Sequence, residues 1–185
     1  MSPVPGRAPT CSNLYGFSSG AVLALRAAAK LGDRVTKLAV LEPPFNNDDE
    51  ASKKEFRDFT DHLAELLASD RRGDAVAFFL ADMLPPDVLA GMKGSPEWKL
   101  MEDVAPTLAY ENEVLGDGAV PTDAAKAATM PALVLDGDES PEFKHAAADT
   151  LAAAMPHAER RTLEGQATLI PPEVFAPVLK EFFLR

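Results

Sequence analysis

Asn13-Leu14-Tyr15-Gly16-Phe17-Ser18-Ser19-Gly20-Ala21-Val22 is the stretch on which the fold of this chain turns. Asn13-Leu14-Tyr15 is a short strand candidate. From Ser18 to Leu31 the apolar residues Val22, Leu25, Ala28 and Ala29 recur at helical spacing, and Gly32 follows as a stop. The same few residues therefore carry the chain from a strand directly into an amphipathic helix. Just beyond, Lys37-Leu38-Ala39-Val40-Leu41 is a compact apolar run closed by Glu42-Pro43-Pro44. Proline cannot continue a central ladder, so this strand is expected to stop at Glu42. The local pattern is strand, helix, strand.

Further along, Pro131-Ala132-Leu133-Val134-Leu135 is another apolar run, bounded by Asp136-Gly137-Asp138 and followed by a helical stretch from Pro141 to Met155, with Ser140 as the expected N-cap. Ala158 to Leu163 is a more charged strand candidate, and Pro171-Pro172 opens a last helix expected to reach Phe183. Alternating strands and helices predict an α/β fold with a mostly parallel sheet of about four strands flanked by helices. Residues from about Asn46 to Gly118 are too many for a loop. The spacing of Phe56, Phe59, Leu63, Leu66 and Leu67 predicts amphipathic helices there, so the chain is read as one domain over 1–185 carrying a helical cap insertion over 46–118. Phe78, Phe79, Met83, Trp98 and Met101 are read as packing residues of that insertion.

Composition excludes several classes. With Asp and Glu at 29 against 18 Lys and Arg, the net charge of -11 would repel a polyphosphate backbone, so no nucleic-acid partner is expected. Cys11 is the sole cysteine and can form no intrachain disulfide, which fits a reducing compartment. Met1 to Asn13 holds Pro3, Pro5 and Pro9 and no apolar run of secretory length, and no stretch is long enough to span a membrane. A cytoplasmic protein without a membrane partner is the expectation. No Cys or His pair has metal-ligand spacing, and Gly16 to Gly20 lacks the Gly-x-Gly-x-x-Gly spacing of a dinucleotide turn, so neither a metal nor another cofactor is expected.

Gly16-Phe17-Ser18-Ser19-Gly20 carries the chemistry. A serine hydroxyl is a poor nucleophile unless it is held clear of the helix, beside a base and near donors for a developing oxyanion. Small residues two before and two after the serine permit such a turn. Gly16 and Gly20 are both expected to remove Cβ atoms at a tight corner, leaving Ser18 strained and accessible, while the amide of Ser19 at the helix start faces an oxyanion.

Leu14-Tyr15-Gly16-Phe17-Ser18-Ser19-Gly20-Ala21 resembles the nucleophile elbow of a family of bacterial α/β-hydrolases, and Leu41-Glu42-Pro43-Pro44-Phe45 is similar to that family's next strand ending. Pro131 to Pro141 resembles its acid-bearing strand and loop, and Ala158 to Gln166 its last strand and turn, so the likeness covers most of residues 12–185. It implies Ser18 as nucleophile, the Ser19 amide as oxyanion donor, and an acid at Glu42 or Asp138. Two departures accompany it. Only about a dozen residues precede Leu14, where members of the family carry further strands and an oxyanion loop, and the position of the catalytic histidine is held by Thr168, which is no general base.

His62, His145 and His157 are the remaining histidines and are read as surface or packing residues; His62 is the least remote candidate for a base, through the insertion. Glu42 and Asp138 both lie at strand C-terminal ends, where open α/β sheets build their sites, and both are also plausible as turn or cap carboxylates. Two functions follow. One is a serine hydrolase acting on a small apolar ester or lactone through Ser18. The other is a catalytically impaired homologue that binds a ligand or associates through the strand edge near Leu14, with a homodimer as the expected assembly.

Overall fold

The computed structural model describes residues 11–81 and 83–185. The reading of Met1 to Asn13 therefore falls almost wholly outside the described residues. In chain order the elements are β1 (Ser12–Phe17), α1 (Ser19–Leu31), β2 (Val35–Leu41), α2 (Glu50–Ala68), α3 (Arg72–Leu80), α4 (Pro86–Met92), α5 (Pro96–Val104), α6 (Leu108–Leu115), α7 (Thr122–Ala127), β3 (Ala132–Gly137), α8 (Glu142–Ala154), β4 (Ala158–Leu163) and α9 (Pro172–Leu184). They form two compact units: Asp49–Asp117, and the described residues up to Asp48 together with Gly118–Arg185.

The second of these holds the sheet. Its strands lie in the order β1-β2-β3-β4 and every pairing is parallel, in agreement with the expected parallel α/β fold. Gly16 sits opposite Val40, Leu41 opposite Leu135, and Gly137 opposite Leu163, so the C-terminal ends of all the strands fall along one edge. Both faces are covered, which is why β2 and β3 read as continuous apolar runs rather than alternating ones. On one face Ala39, Leu41, Leu133, Leu135 and Leu163 pack with Ile170 and Phe182, and α9 supplies Val174, Phe175, Val178 and Leu179. The alternate residues Leu38, Val40 and Val134 are fully buried as well, and α1 and α8 contact the strands. Each such aliphatic side chain contributes about 1.5–3 kcal/mol by leaving water.

The unit Asp49–Asp117 is helical. Asp49 caps α2 by accepting the Ser52 amide at 2.8 Å, and Ser95 caps α5 by accepting that of Trp98 at 3.1 Å, with Pro96 in the first turn. Leu63, Leu66 and Ala75 form one cluster with Phe59, Phe78 and Phe79, while Val76, Trp98 and Ala105 form another with Met101. The expected packing role thus holds for Phe78, Phe79, Trp98 and Met101. Met83 departs from it: the residue is exposed.

Steric detail at the first corner corrects one expectation. A Cβ on Gly16 would lie 2.1 Å from the carbonyl oxygen of Gly20 and 2.7 Å from the Cα of Ala21, so β1 and α1 approach too closely there for any side chain. A Cβ on Gly20 meets nothing within 4 Å. Only the first glycine is sterically required. Gly16→Ala should therefore lower stability by about 1–3 kcal/mol through overpacking, whereas Gly20→Ala should be neutral or raise it by up to about 1 kcal/mol through helix propensity. Thermal melts of the two variants side by side check the contrast; equal losses would contradict it.

Candidate active site

The corner that Gly16 permits places Ser18 at φ 53°, ψ −127°, a left-handed conformation that a residue with a side chain adopts at a cost of about 1–3 kcal/mol. Its amide donates to the Leu41 carbonyl at 3.0 Å, tying the corner to the end of β2, and its carbonyl accepts from Ala21 at 2.8 Å. The Ser18 side chain does not cap α1. Ser19 opens that helix, ahead of the first turn's bond from the Ala21 amide, at the end where the helix dipole is positive.

Immediately after Leu41, Glu42 repeats the strain at φ 51° and is fully buried. Its Oε1 accepts from the Gly137 amide at 2.8 Å and from the Ser140 hydroxyl at 2.7 Å, and its Oε2 accepts from Lys144 Nζ at 3.2 Å. Buried charge needs this much compensation. Ser140 accordingly does not cap the following helix as expected: α8 begins at Glu142 after Pro141, and the hydroxyl points to Glu42 instead.

Asp138 is exposed and serves a different turn. Its Oδ1 accepts the Gln166 amide at 3.0 Å, and its own amide donates to the Leu163 carbonyl at 3.1 Å. Main-chain N–H groups of Gln166 and Gly165 hold its carboxyl below the usual range. The Glu139 amide donates to the Gln166 carbonyl at 2.8 Å, and that carbonyl lies 2.2 Å from where a Cβ on Gly137 would stand. The turn after β4 is thus pressed onto the end of β3. At its far end, the Thr168 hydroxyl accepts a hydrogen bond from Lys144 Nζ at 3.1 Å.

Ser18 and Ser19 thus follow β1, Glu42 follows β2, Asp138 follows β3 and Thr168 lies beyond β4, each past the C-terminal end of its strand. Glu42 and Thr168 are linked through a residue that sequence reasoning missed. Lys144 carries no local signal, because its partner Glu42 lies 102 positions earlier. None of the histidines joins this set through a hydrogen bond or ion pair. His62 packs edge-on against Phe78 and lies 3.7 Å from Glu65, within the helical unit. His157 is exposed, with its carbonyl accepting from the Ala132 amide.

His145 belongs to a second charge cluster. Its Nδ1 lies 2.6 Å from Oδ2 of the fully buried Asp136, which also binds both terminal nitrogens of Arg160; Arg160 in turn donates to Asp149 at 3.0 Å. Burial alone would raise the Asp136 carboxyl, but hydrogen bonds from Arg160 and His145 outweigh it and hold the group below its ordinary range. The hydrogen bond to Asp136 raises His145. Among the described residues no group of three or more His, Cys, Asp and Glu could hold a metal ion, and no helix is long and apolar enough to cross a membrane.

A parallel sheet flanked by helices, with a strained serine between its first described strand and helix and carboxylates at the following strand ends, defines the class. Residues 5–176 match the model of the α/β hydrolase family, and the chain belongs to that family. It is similar to the crystal structure of an α/β hydrolase from Sphaerobacter thermophilus, at 41% identity and TM-score 0.79, with 94% of this chain and 68% of that one covered. An α/β hydrolase enzyme from a Medee basin deep-sea metagenome library shares the fold at 16% identity and TM-score 0.67, with coverage of 96% and 66%. An enol-lactonase from Burkholderia xenovorans shares it at 19% and 0.59, with coverage of 95% and 66%. The chain thus spans about two thirds of the length of these structures. No curated protein matches it.

Two stability predictions follow from these networks. Glu42→Ala leaves the Gly137 amide, the Ser140 hydroxyl and the Lys144 ammonium without their acceptor, and should cost about 3–5 kcal/mol in urea unfolding. Asp136, being lowered, contributes stability that is present above about pH 4 and is lost as pH falls through its folded value; His145, being raised, contributes stability that is full below about pH 6.5 and is lost as pH rises through its raised value. Urea midpoints measured across pH should fall on both sides of a mildly acidic maximum. Asp136→Asn should lower that maximum and shrink both flanks.

Proposed function

We propose that the protein is a serine-nucleophile hydrolase acting on a small apolar carboxylic ester or lactone through Ser18, and that its turnover is slow. The observation that carries this reading is the corner itself. A left-handed serine, anchored by its amide to Leu41 and excused from capping α1, is costly to maintain and has no evident packing purpose. Membership of the α/β hydrolase family and the likeness to a hydrolase at 41% identity support it.

In the proposed reaction the Ser18 oxygen attacks the carbonyl carbon, the bond to the leaving oxygen breaks, and the serine proton passes to water. The departing alkoxide takes a proton from solvent. A second water then cleaves the acyl-serine. The Ser19 amide stabilises the negative oxygen in both halves. Thr168 cannot accept the serine or water protons as a histidine would, so both halves are slow; an activated ester eases the first through its leaving group, which makes hydrolysis of the acyl-serine the slower half.

A second reading, a catalytically impaired module that binds a ligand or a second copy of itself, is favoured by the Lys144 contact that occupies Thr168. β1, an edge of the sheet among the described residues, exposes part of Tyr15 and Phe17 and would be the pairing surface. A fluorophosphonate probe and p-nitrophenyl acetate separate the two. The hydrolase reading expects one phosphonyl adduct on Ser18 and an initial burst of p-nitrophenolate, both abolished by Ser18→Ala. No adduct and no burst, with a dimer mass in light scattering, would establish the second reading instead.

A further inference from the structure

Lys144 stands in the first turn of α8 with 14% of its side chain exposed. Its ammonium has donors only. Of its two contacts, the one at 3.2 Å goes to the oxygen of Glu42 that is not already taken by Gly137 and Ser140, and the one at 3.1 Å goes to the Thr168 hydroxyl. The direction of the second contact has a chemical consequence. Because Lys144 donates, the threonine oxygen is the acceptor, and the single hydroxyl proton of Thr168 is directed away from it. A hydroxyl that accepts from an ammonium is polarised into a better donor.

The position of that donor is tightly held. The turn leading to Thr168 is bound by Asp138 through the Gln166 amide, by the Glu139 amide through the Gln166 carbonyl, and by the close approach over Gly137. Thr168 is itself only partly exposed. At the strand edge that also carries Ser18, the chain thus presents a hydroxyl donor backed by an ammonium and a buried carboxylate.

Resting on the assignment of Ser18 as nucleophile, we propose that Thr168 donates a hydrogen bond to the leaving-group oxygen of the ester during acylation, with Lys144 and Glu42 as the positioning residues behind it. The favoured substrates are then esters or lactones whose leaving oxygen is a poor leaving group and gains from a donor. The arrangement assists departure of the alcohol and does nothing to activate the water that must follow. Acylation and deacylation are consequently separated: the first is assisted by Thr168, the second is not. The bond made is Ser18 Oγ to acyl carbon and the bond broken is acyl carbon to leaving oxygen; solvent water takes the serine proton and supplies the one gained by the alkoxide.

Leaving-group dependence tests this on the full chain. Acylation rates are measured by phenolate release with p-nitrophenyl acetate, whose leaving group needs no donor, and with phenyl acetate, whose leaving group does. Ser18 acylation is followed in parallel by intact mass. Thr168→Val should slow acylation by phenyl acetate about 10-fold or more, the worth of one hydrogen bond to a developing charge, and leave p-nitrophenyl acetate within about 2-fold. Thr168→Ser should retain the rate with both, Lys144→Met should reproduce the valine pattern, and deacylation should not change in any of them. Equal losses on both esters, or none on either, would overturn the inference while leaving Ser18 as nucleophile. Absence of any Ser18 adduct on the unaltered chain, with fluorophosphonate as with the esters, would overturn the hydrolase reading and this inference together.

Discussion

The buried carboxylate of Glu42 is the interaction on which the C-terminal edge of the sheet depends. It follows the last residue of β2, accepts a main-chain N–H from the end of β3, and takes a hydroxyl and an ammonium from the segment entering and opening α8. Through Lys144 the same carboxylate reaches the turn after β4. Glu42 and Lys144 together therefore join the ends of β2 and β3 to the turn after β4. An acid with this many structural partners orients its neighbours well, and it is correspondingly unfree to act alone.

Strain is concentrated at the same place. Ser18 and Glu42 both adopt positive φ, and Leu41, bonded to the amide of Ser18, immediately precedes Glu42. Two unfavourable backbone conformations are thus held against each other across neighbouring strands. The surrounding sheet over-determines them: β1, β2 and β3 are in parallel register through Leu41 and Leu135, and the apolar burial beneath them supplies the free energy that such strain consumes. In the proposed hydrolase, pre-organisation of this kind would place the Ser18 oxygen without reorganisation at the moment of reaction.

The Asp136, His145 and Arg160 cluster shows how easily histidine and aspartate can imitate a catalytic pair. Their short contact lies in a network with Asp149 and includes no member of the Ser18, Glu42 and Thr168 set. Its partners are β3, α8 and β4, the elements whose packing it secures. His145 of this ion cluster neighbours Lys144 on α8, so the two charge networks share a helix.

Much of this was legible beforehand. Periodicity and proline placement predicted strands at Lys37–Leu41 and Pro131–Leu135 and a helix from Ser18 to Leu31, and the structure has β2, β3 and α1 there within a few residues, because those segments bury residues at the period their own backbone dictates. The Gly-Phe-Ser-Ser-Gly motif placed Ser18 at a strand-to-helix corner for the same local reason. What only the tertiary structure decided is which groups meet. Whether Gly20 was sterically necessary depended on the space beside α1; whether Ser140 capped its helix depended on Glu42; and the roles of Lys144 and Thr168 depended on contacts spanning 102 and 24 positions. Local sequence sets the backbone's own preferences, whereas a hydrogen bond between strand ends exists only once the sheet has brought those ends together.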